Sequence, residues 1–199
     1  YNQNIDVFRS MIHFKDASYN DFTENDAKTF YERIKNEPND IPKTSYVSPG
    51  YMLKTFEKLQ KEGYTDVLVI VIAKPLSGLH DAVLNLKEEV DIRIHVYDSK
   101  TIAYPESYMA ITAQKMFDNN HSLDEVLNQL DHIRDNNQMF FAVDTLLYLV
   151  KNGRLSKLSG TLGSILKIKP VLTLSKDGAV ETLEKIRTSK KALERIVAL

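Results

Sequence analysis

Cysteine is absent from the 199 residues, and that one absence removes disulfides, thiolate zinc sites and a cysteine nucleophile together. It also makes an oxidising compartment unnecessary, so the cytoplasm is the expected location. Long apolar runs are missing too. The longest, Val67 to Ala73, is strand-sized against the roughly 20 residues that cross a bilayer, which predicts a soluble chain with no stable membrane insertion. A dominant sign of charge is the third absence. Twenty-six Lys and Arg against 27 Asp and Glu leave a formal net charge of -1 and no long-range attraction for nucleic acid or anionic lipid. The basic residues that do cluster lie near the end: Lys185, Arg187, Lys190, Lys191 and Arg195, diluted by Glu181, Glu184 and Glu194. Tyr1 to Asp6 lack the basic start, apolar middle and small-residue cleavage site of a secretory signal.

What is present reads as alternating helices and strands. Thr23-Glu24-Asn25-Asp26 can cap a helix carrying Ala27, Phe30, Tyr31 and Ile34, which Pro38 and Pro42 stop. Lys43-Thr44-Ser45 then reads as the end of a linker. Ser48-Pro49 starts a second helix with a cap and a first-turn proline, its face formed by Leu53, Phe56 and Leu59 and its end by Gly63. Val67 to Ile72 is apolar at every position, as suits a central parallel strand covered on both faces. A helix from Gly78 or Leu79 to Glu89 leads to a strand over Ile92 to Tyr97, ending at Asp98-Ser99. Helical patterns resume through Met109 to Phe117, and Ser122-Leu123-Asp124-Glu125 is a capping box for the next helix. Met139 to Val143 is strand-like, and a short helix follows from Asp144 to the stop at Asn152-Gly153. Beyond a small-residue loop, Ser156 to Ser164, come an apolar strand from Pro170 to Leu174, a Lys176-Asp177-Gly178 bend, a strand to Ile186, and a helix from near Ser189 that runs to the end of the sequence. The order predicts an α/β fold of two lobes: a parallel-sheet lobe over residues 1–137 and a mixed or antiparallel α/β lobe over 138–199.

In an open parallel sheet, ligands sit beyond the carboxyl ends of strands, where loops and helix starts present backbone N–H groups. Three hydroxyl-bearing segments fall there: Thr44-Ser45, Ser77-Gly78 and Asp98-Ser99. Together they can hold a carboxylate or phosphate with hydroxyls and amides rather than with a cation. Read more plainly, they are the caps and turns of any α/β protein. His80 stands beside the Ser77-Gly78 turn, within reach of a bound anion. The five histidines, His13, His80, His95, His121 and His132, show no metal-ligand spacing. Arg154 and Arg187 each follow an element that can aim a guanidinium at an anion, or simply solvate it. Ser164-Ile165-Leu166-Lys167 matches a Ser-x-x-Lys pattern without its companion motifs. Phosphate-loop, Gly-x-Gly-x-x-Gly and Gly-x-Ser-x-Gly patterns are all lacking.

The ordered set of Lys43-Thr44-Ser45-x-x-Ser48-Pro49-Gly50, Leu76-Ser77-Gly78 and Val96-Tyr97-Asp98-Ser99-Lys100 resembles the DegV family of fatty-acid-binding proteins. The resemblance continues through Thr145-Leu146-Leu147-Tyr148-Leu149 to Asn152-Gly153-Arg154-Leu155, then Leu166 to Leu172, Gly178 and Ile186-Arg187-Thr188. It implies a DegV-like carrier in which Thr44 or Ser45, with Ser77 and Gly78, contacts the carboxylate of a long-chain fatty acid. His80, Asp98 and Ser99 are then head-group neighbours, and Arg154 and Arg187 face phosphate or a docked kinase. In such systems a separate ATP-dependent fatty acid kinase makes an acyl phosphate that feeds phospholipid synthesis, so the carrier needs no catalytic residue, metal or cofactor beyond its lipid, and it is read as a monomer. Leu79, Asn152 and Tyr104-Pro105-Glu106-Ser107 depart from the family pattern. The family's opening strand with its Asp-Ser turn and its closing histidine segment would lie before Tyr1 and after Leu199, so the sequence reads as the middle of such a carrier. Two other readings stand beside this one: an acyl hydrolase or transferase with Ser77 as nucleophile, and a regulatory interaction module.

Overall fold

The computed structural model describes residues 5–21, 27–155 and 168–199. The Thr23 to Asp26 cap, the Ser156 to Ser164 loop and the Ser164 to Lys167 pattern lie outside the described residues. Within them the fold is α/β, with one parallel and two antiparallel sheets. Two compact units interleave along the chain: one comprises Asp6–Val69 and Gly78–Val96, the other Ile70–Ser77 and Tyr97–Leu199 with Tyr1–Ile5.

The first unit opens with a sheet that the sequence did not announce. Strands β1 (Met11–His13), β2 (Ser18–Asn20) and β3 (Lys43–Ser45) pair antiparallel in the order β2-β1-β3. Thr44 and Ser45 are thus strand residues on a sheet edge and not the end of a linker. Three-residue strands are too short for a two-residue period to stand out, which is why they read as loop. Helix α1 (Ala27–Asn36) buries no residue fully, and Tyr31, expected on its apolar face, is exposed. Arg33 ties it down instead: its guanidinium lies 4.0 Å from the centre of the Phe14 ring and reaches Asp16 and Asp40.

Helix α2 (Pro49–Lys61) starts as expected, with Ser48 Oγ accepting from the Tyr51 amide, and ends at Gly63 with φ +94°. Its buried residues are Met52 and Phe56, and the Phe8 ring meets Phe56 edge-on at 5.8 Å. Helix α3 covers only Leu79–Leu84. The Leu86 amide bonds Val83 O, three residues back, tightening the chain into a 3-10 turn at Lys87–Glu89, so the expected helix to Glu89 is interrupted.

Strands β4 (Asp66–Val71) and β5 (Arg93–Asp98) form the parallel pair. Arg93 N donates to Thr65 O and, six residues on, Ser99 N donates to Val71 O, so both strands advance in one direction. Among the described residues β4 pairs with β5 alone.

In the second unit, α4 (Tyr104–Asp118) packs on α5 (Leu123–Asp135), burying Met109, Ala113, Val126 and Leu130. The capping box at Ser122 and Glu125 is complete. Strand β6 (Phe140–Ala142) joins the hairpin β7 (Val171–Leu174) and β8 (Val180–Glu184) in an antiparallel sheet. Helix α6 (Leu147–Lys151) begins after Thr145, whose hydroxyl accepts from Leu147 N, rather than at Asp144. Helix α7 (Ser189–Val197) starts from a Thr188 cap. Leu146, Leu155, Leu172 and Val180 form the buried cluster of this sheet, and Leu76, from the loop after β4, packs against it. No helix of the described residues is long and apolar enough to cross a membrane.

The Asp-Gly bend does more than reverse the chain. Gly178 has φ +83°, is buried, and sits so close to the loops after β4 and β5 that an added Cβ would lie 2.4 Å from Ala73 Cβ and 2.9 Å from Lys100 O. Two costs therefore fall on any side chain there: a backbone conformation that only glycine adopts freely, and overlap with backbone that cannot rotate away. Gly178→Ala is expected to destabilise the fold by about 2–4 kcal/mol. Urea unfolding checks this, and a midpoint equal to wild type would contradict it.

Candidate functional site

The residues expected to meet a carboxylate are distributed over both compact units, and each group has its own local construction. In the first unit, Ser45 sits at the end of β3 with its hydroxyl 2.8 Å from His13 Nε2, while His13 Nδ1 lies 2.8 Å from Ser18 Oγ. Strand alternation turns Thr44 to the other face of the sheet, so only Ser45 shares a face with His13. Gly78 caps α3 without a side chain, and a Cβ there would touch the Tyr46 ring at 3.4 Å. Tyr46 and the start of α3 are therefore neighbours. His80 turns aside: its Nδ1 lies 2.8 Å from Asp81 Oδ1, an ion pair when the ring is protonated. That contact takes one nitrogen of the imidazole on which a Ser77 nucleophile would have had to rely.

At the amino ends of β4 and β5, Asp66 takes two hydrogen bonds from Arg93, both at 2.7 Å, and a contact from His95 at 3.0 Å. The Arg93 guanidinium, followed by His95 and Thr65, holds the Asp66 carboxyl well below the usual carboxylate range. This is a self-satisfied surface network.

In the second unit, Ser77 is half-buried on a loop that later parts of the chain hold in place. Leu76 N closes a turn onto Ala73 O, the Leu76 side chain packs into the β6-β7-β8 cluster, and Leu76 O accepts from Arg154 Nε at 3.1 Å. Arg154 Nη1 donates to Asn152 O at 2.6 Å. The guanidinium expected to face phosphate or a kinase is thus engaged with two backbone carbonyls, one of them next to Ser77. Asp98 Oδ1 accepts from the amides of Lys100 (3.0 Å) and Lys74 (3.4 Å), tying together the loops after β5 and β4. Ser99 is fully buried and exchanges hydrogen bonds with the backbone of Thr101, and Ala73 N donates to Thr101 O. Lys100 (φ 52°) and Ala103 (φ 58°) hold left-handed backbone in this loop. Such strain persists only where surrounding contacts over-determine the chain, as the Asp98 and Thr101 bonds do. Arg187 is exposed between β8 and α7, and of the basic tail residues Arg195 pairs with Glu184 and Lys190 with Glu194. No group of His, Cys, Asp and Glu suited to a metal ion occurs among the described residues.

The hydrogen bonds of His13 and the long-range packing of Leu76 and Gly178 are what sequence reasoning did not foresee. A polar residue at alternate spacing from Met11 was the only sign of His13; the roles of Leu76 and Gly178 depend on partners about 80 to 105 residues away, at Arg154 for Leu76 and at Ala73 for Gly178, which no local pattern reports.

A parallel strand pair whose following loops carry hydroxyls, one of those loops clamped by an antiparallel sheet of the same chain, defines an α/β protein. The chain belongs to the DegV family, whose model matches residues 1–199. A DegV domain-containing protein of Clostridium perfringens is 33% identical over 197 residues, covering 98% of this chain and 69% of the relative. The crystal structure of a fatty acid binding DegV family protein from Streptococcus agalactiae superposes with a TM-score of 0.90 at 30% identity, over 99% of this chain and 70% of that one. DegV from Bacillus subtilis, described as a fatty acid binding protein, superposes at 0.83 with 31% identity, over 96% and 67%. The Fatty Acid Kinase (Fak) B3 protein of Streptococcus pneumoniae, solved loaded with linoleic acid, superposes at 0.78 with 25% identity, over 96% and 68%.

One acid in the second unit is out of keeping with its position. Glu106 lies in the first turn of α4, where the helix dipole favours a negative charge, yet burial pushes its carboxyl up from 4.5 to about 7. Below 4.5 it is protonated in folded and unfolded chains alike; between 4.5 and 7 only the folded chain keeps the proton. Stability therefore falls as pH rises through that window, by on the order of 2 kcal/mol after allowance for partial exposure. Unfolding midpoints measured from pH 4 to 8 should show this slope for wild type and a flatter profile for Glu106→Gln.

Proposed function

We propose that this chain binds a long-chain fatty acid and presents it to a separate ATP-dependent fatty acid kinase for conversion to acyl phosphate, which feeds phospholipid synthesis. The observation that carries the reading is the likeness over nearly the whole chain to solved DegV proteins described as fatty-acid-binding, at TM-scores of 0.83 and 0.90. The kinase step leans on the likeness to the pneumococcal Fatty Acid Kinase B3 protein. The chain's own residues are consistent with a division of labour. Each methylene removed from water contributes about 0.8 kcal/mol, so an alkyl chain supplies affinity and the head-group residues need only orient a carboxylate. In this reading Ser45, Ser77 and the Gly78 amide provide the donors, with Thr44, His80, Asp98 and Ser99 nearby in sequence. Residues 1–137 hold the head group, and 138–199 begin the lobe that covers the alkyl chain. Arg154 acts on the head group through the Leu76 carbonyl, and exposed Arg187 is available to phosphate or the kinase. The sequence has no nucleotide loop of its own, so the phosphoryl group comes from the partner.

Solvent extraction of the denatured protein followed by mass spectrometry is expected to release one long-chain acid per chain, and delipidated protein should take up oleate. Ser45→Ala and Ser77→Ala should each weaken oleate binding by about tenfold to a hundredfold, the loss of one hydrogen bond to a charged group. With the kinase and ATP, acyl phosphate should form and be trapped by hydroxylamine. Absence of both a copurifying acid and oleate uptake by the wild type would overturn the reading.

A further inference from the structure

The three-stranded sheet holds a hydrogen-bonded row that runs across all of its strands: Ser18 on β2, His13 on β1, Ser45 on β3. His13 pairs directly with Ser18, and Ser45 lies one diagonal step away because its backbone partner is Met11. Both ring nitrogens are occupied by hydroxyls at 2.8 Å. A neutral imidazole donates from one nitrogen and accepts at the other, so the two hydroxyls cannot be oriented alike. If Nδ1 carries the proton, Ser45 spends its O–H on Nε2 and offers only lone pairs outward. If Nε2 carries it, Ser45 accepts from the ring and its own hydrogen is released to point at an anion, while Ser18 donates to Nδ1.

Resting on the reading of Ser45 as a carboxylate donor, we infer that His13 is the positioning residue of that hydroxyl. A bound carboxylate selects the Nε2–H tautomer, and Ser18 holds the ring in the plane that lets it do so. His13 does not touch the ligand; it decides whether Ser45 meets the carboxylate with a hydrogen or with a lone pair. A lone pair aimed at a carboxylate is repulsive, so the ring sets the sign of the contact and not only its strength. The device is economical in structure, since three short strands with no fully buried residue suffice to build it.

The test uses two probes with the same alkyl chain, oleate and oleyl alcohol, on wild type, His13→Phe and Ser18→Ala. Phenylalanine keeps the ring in place and removes both nitrogens; alanine leaves the imidazole and removes only its outer partner, which keeps the test open should the first variant misfold. His13→Phe should weaken oleate about tenfold and Ser18→Ala about threefold, with oleyl alcohol unchanged in both. Long-range proton–nitrogen NMR of the imidazole should show the Nε2–H form dominating on oleate addition, a change that a merely structural histidine would not undergo. Oleate affinities equal to wild type in both variants, or a tautomer ratio that oleate does not move, would overturn the positioning role while leaving fatty acid binding intact. Failure of the wild type itself to bind oleate would remove both readings at once.

Discussion

Within the second unit, the loop geometry depends on one close approach: the Gly178 backbone against Ala73 and the Lys100 carbonyl. Those two residues begin the loops that follow β4 and β5, so the hairpin tip of the antiparallel sheet sets where both loops run. The neighbouring contacts reinforce the same constraint. Asp98 takes amides from both loops, Ala73 bonds Thr101, Leu76 enters the β6-β7-β8 cluster, and Arg154 holds the Leu76 carbonyl. Two left-handed non-glycine residues survive in the β5 loop because so many bonds over-determine it. A loop held from four sides is preorganised.

The charges follow the same economy. Arg33, Arg93, Arg134 and Arg195 each meet a carboxylate of their own unit, and Arg154 is taken up by carbonyls. In the tail, Lys185, Arg187, Lys190 and Lys191 are exposed, Lys190 beside Glu194. Buried Tyr97 shows how local this balance is: burial, then its bond to Asp131 at 2.9 Å, pushes the phenol above its ordinary range, while Arg134 beside it pulls the other way.

Much of the fold was legible because helix starts and tight turns are written in adjacent residues. Ser48-Pro49, the Ser122 to Glu125 box and the helical pattern from near Ser189 each placed a helix start to within a few residues, and Asp177-Gly178 placed the hairpin. Strand β4 was legible from its unbroken apolar run, Val67 to Ile72, and β5 from the strand-like segment Ile92 to Tyr97. The β1-β2-β3 sheet was not, since three residues cannot display a period, and α3 ended early because a tightened turn at Leu86 has no distinct signature in composition. The candidate site was half legible. Of the hydroxyl-bearing segments, Ser77 and Ser99 do follow the parallel strands, whereas Ser45 lies in an antiparallel one, and nothing local separates a donor aimed outward from one consumed by its own backbone, as Ser99 is.

The sequence by itself determined the α/β class, the capped helix starts, the glycine at the hairpin bend and the family, because each is encoded in neighbouring residues or in an ordered set of motifs. Only the tertiary structure decided that Thr44 and Ser45 face opposite sides of a strand, that His13 stands behind Ser45, and that Arg154 serves a carbonyl near Ser77. Those outcomes depend on pairings between residues tens of positions apart, where the free energy of a contact is set by packing and register rather than by the identity of the residue making it.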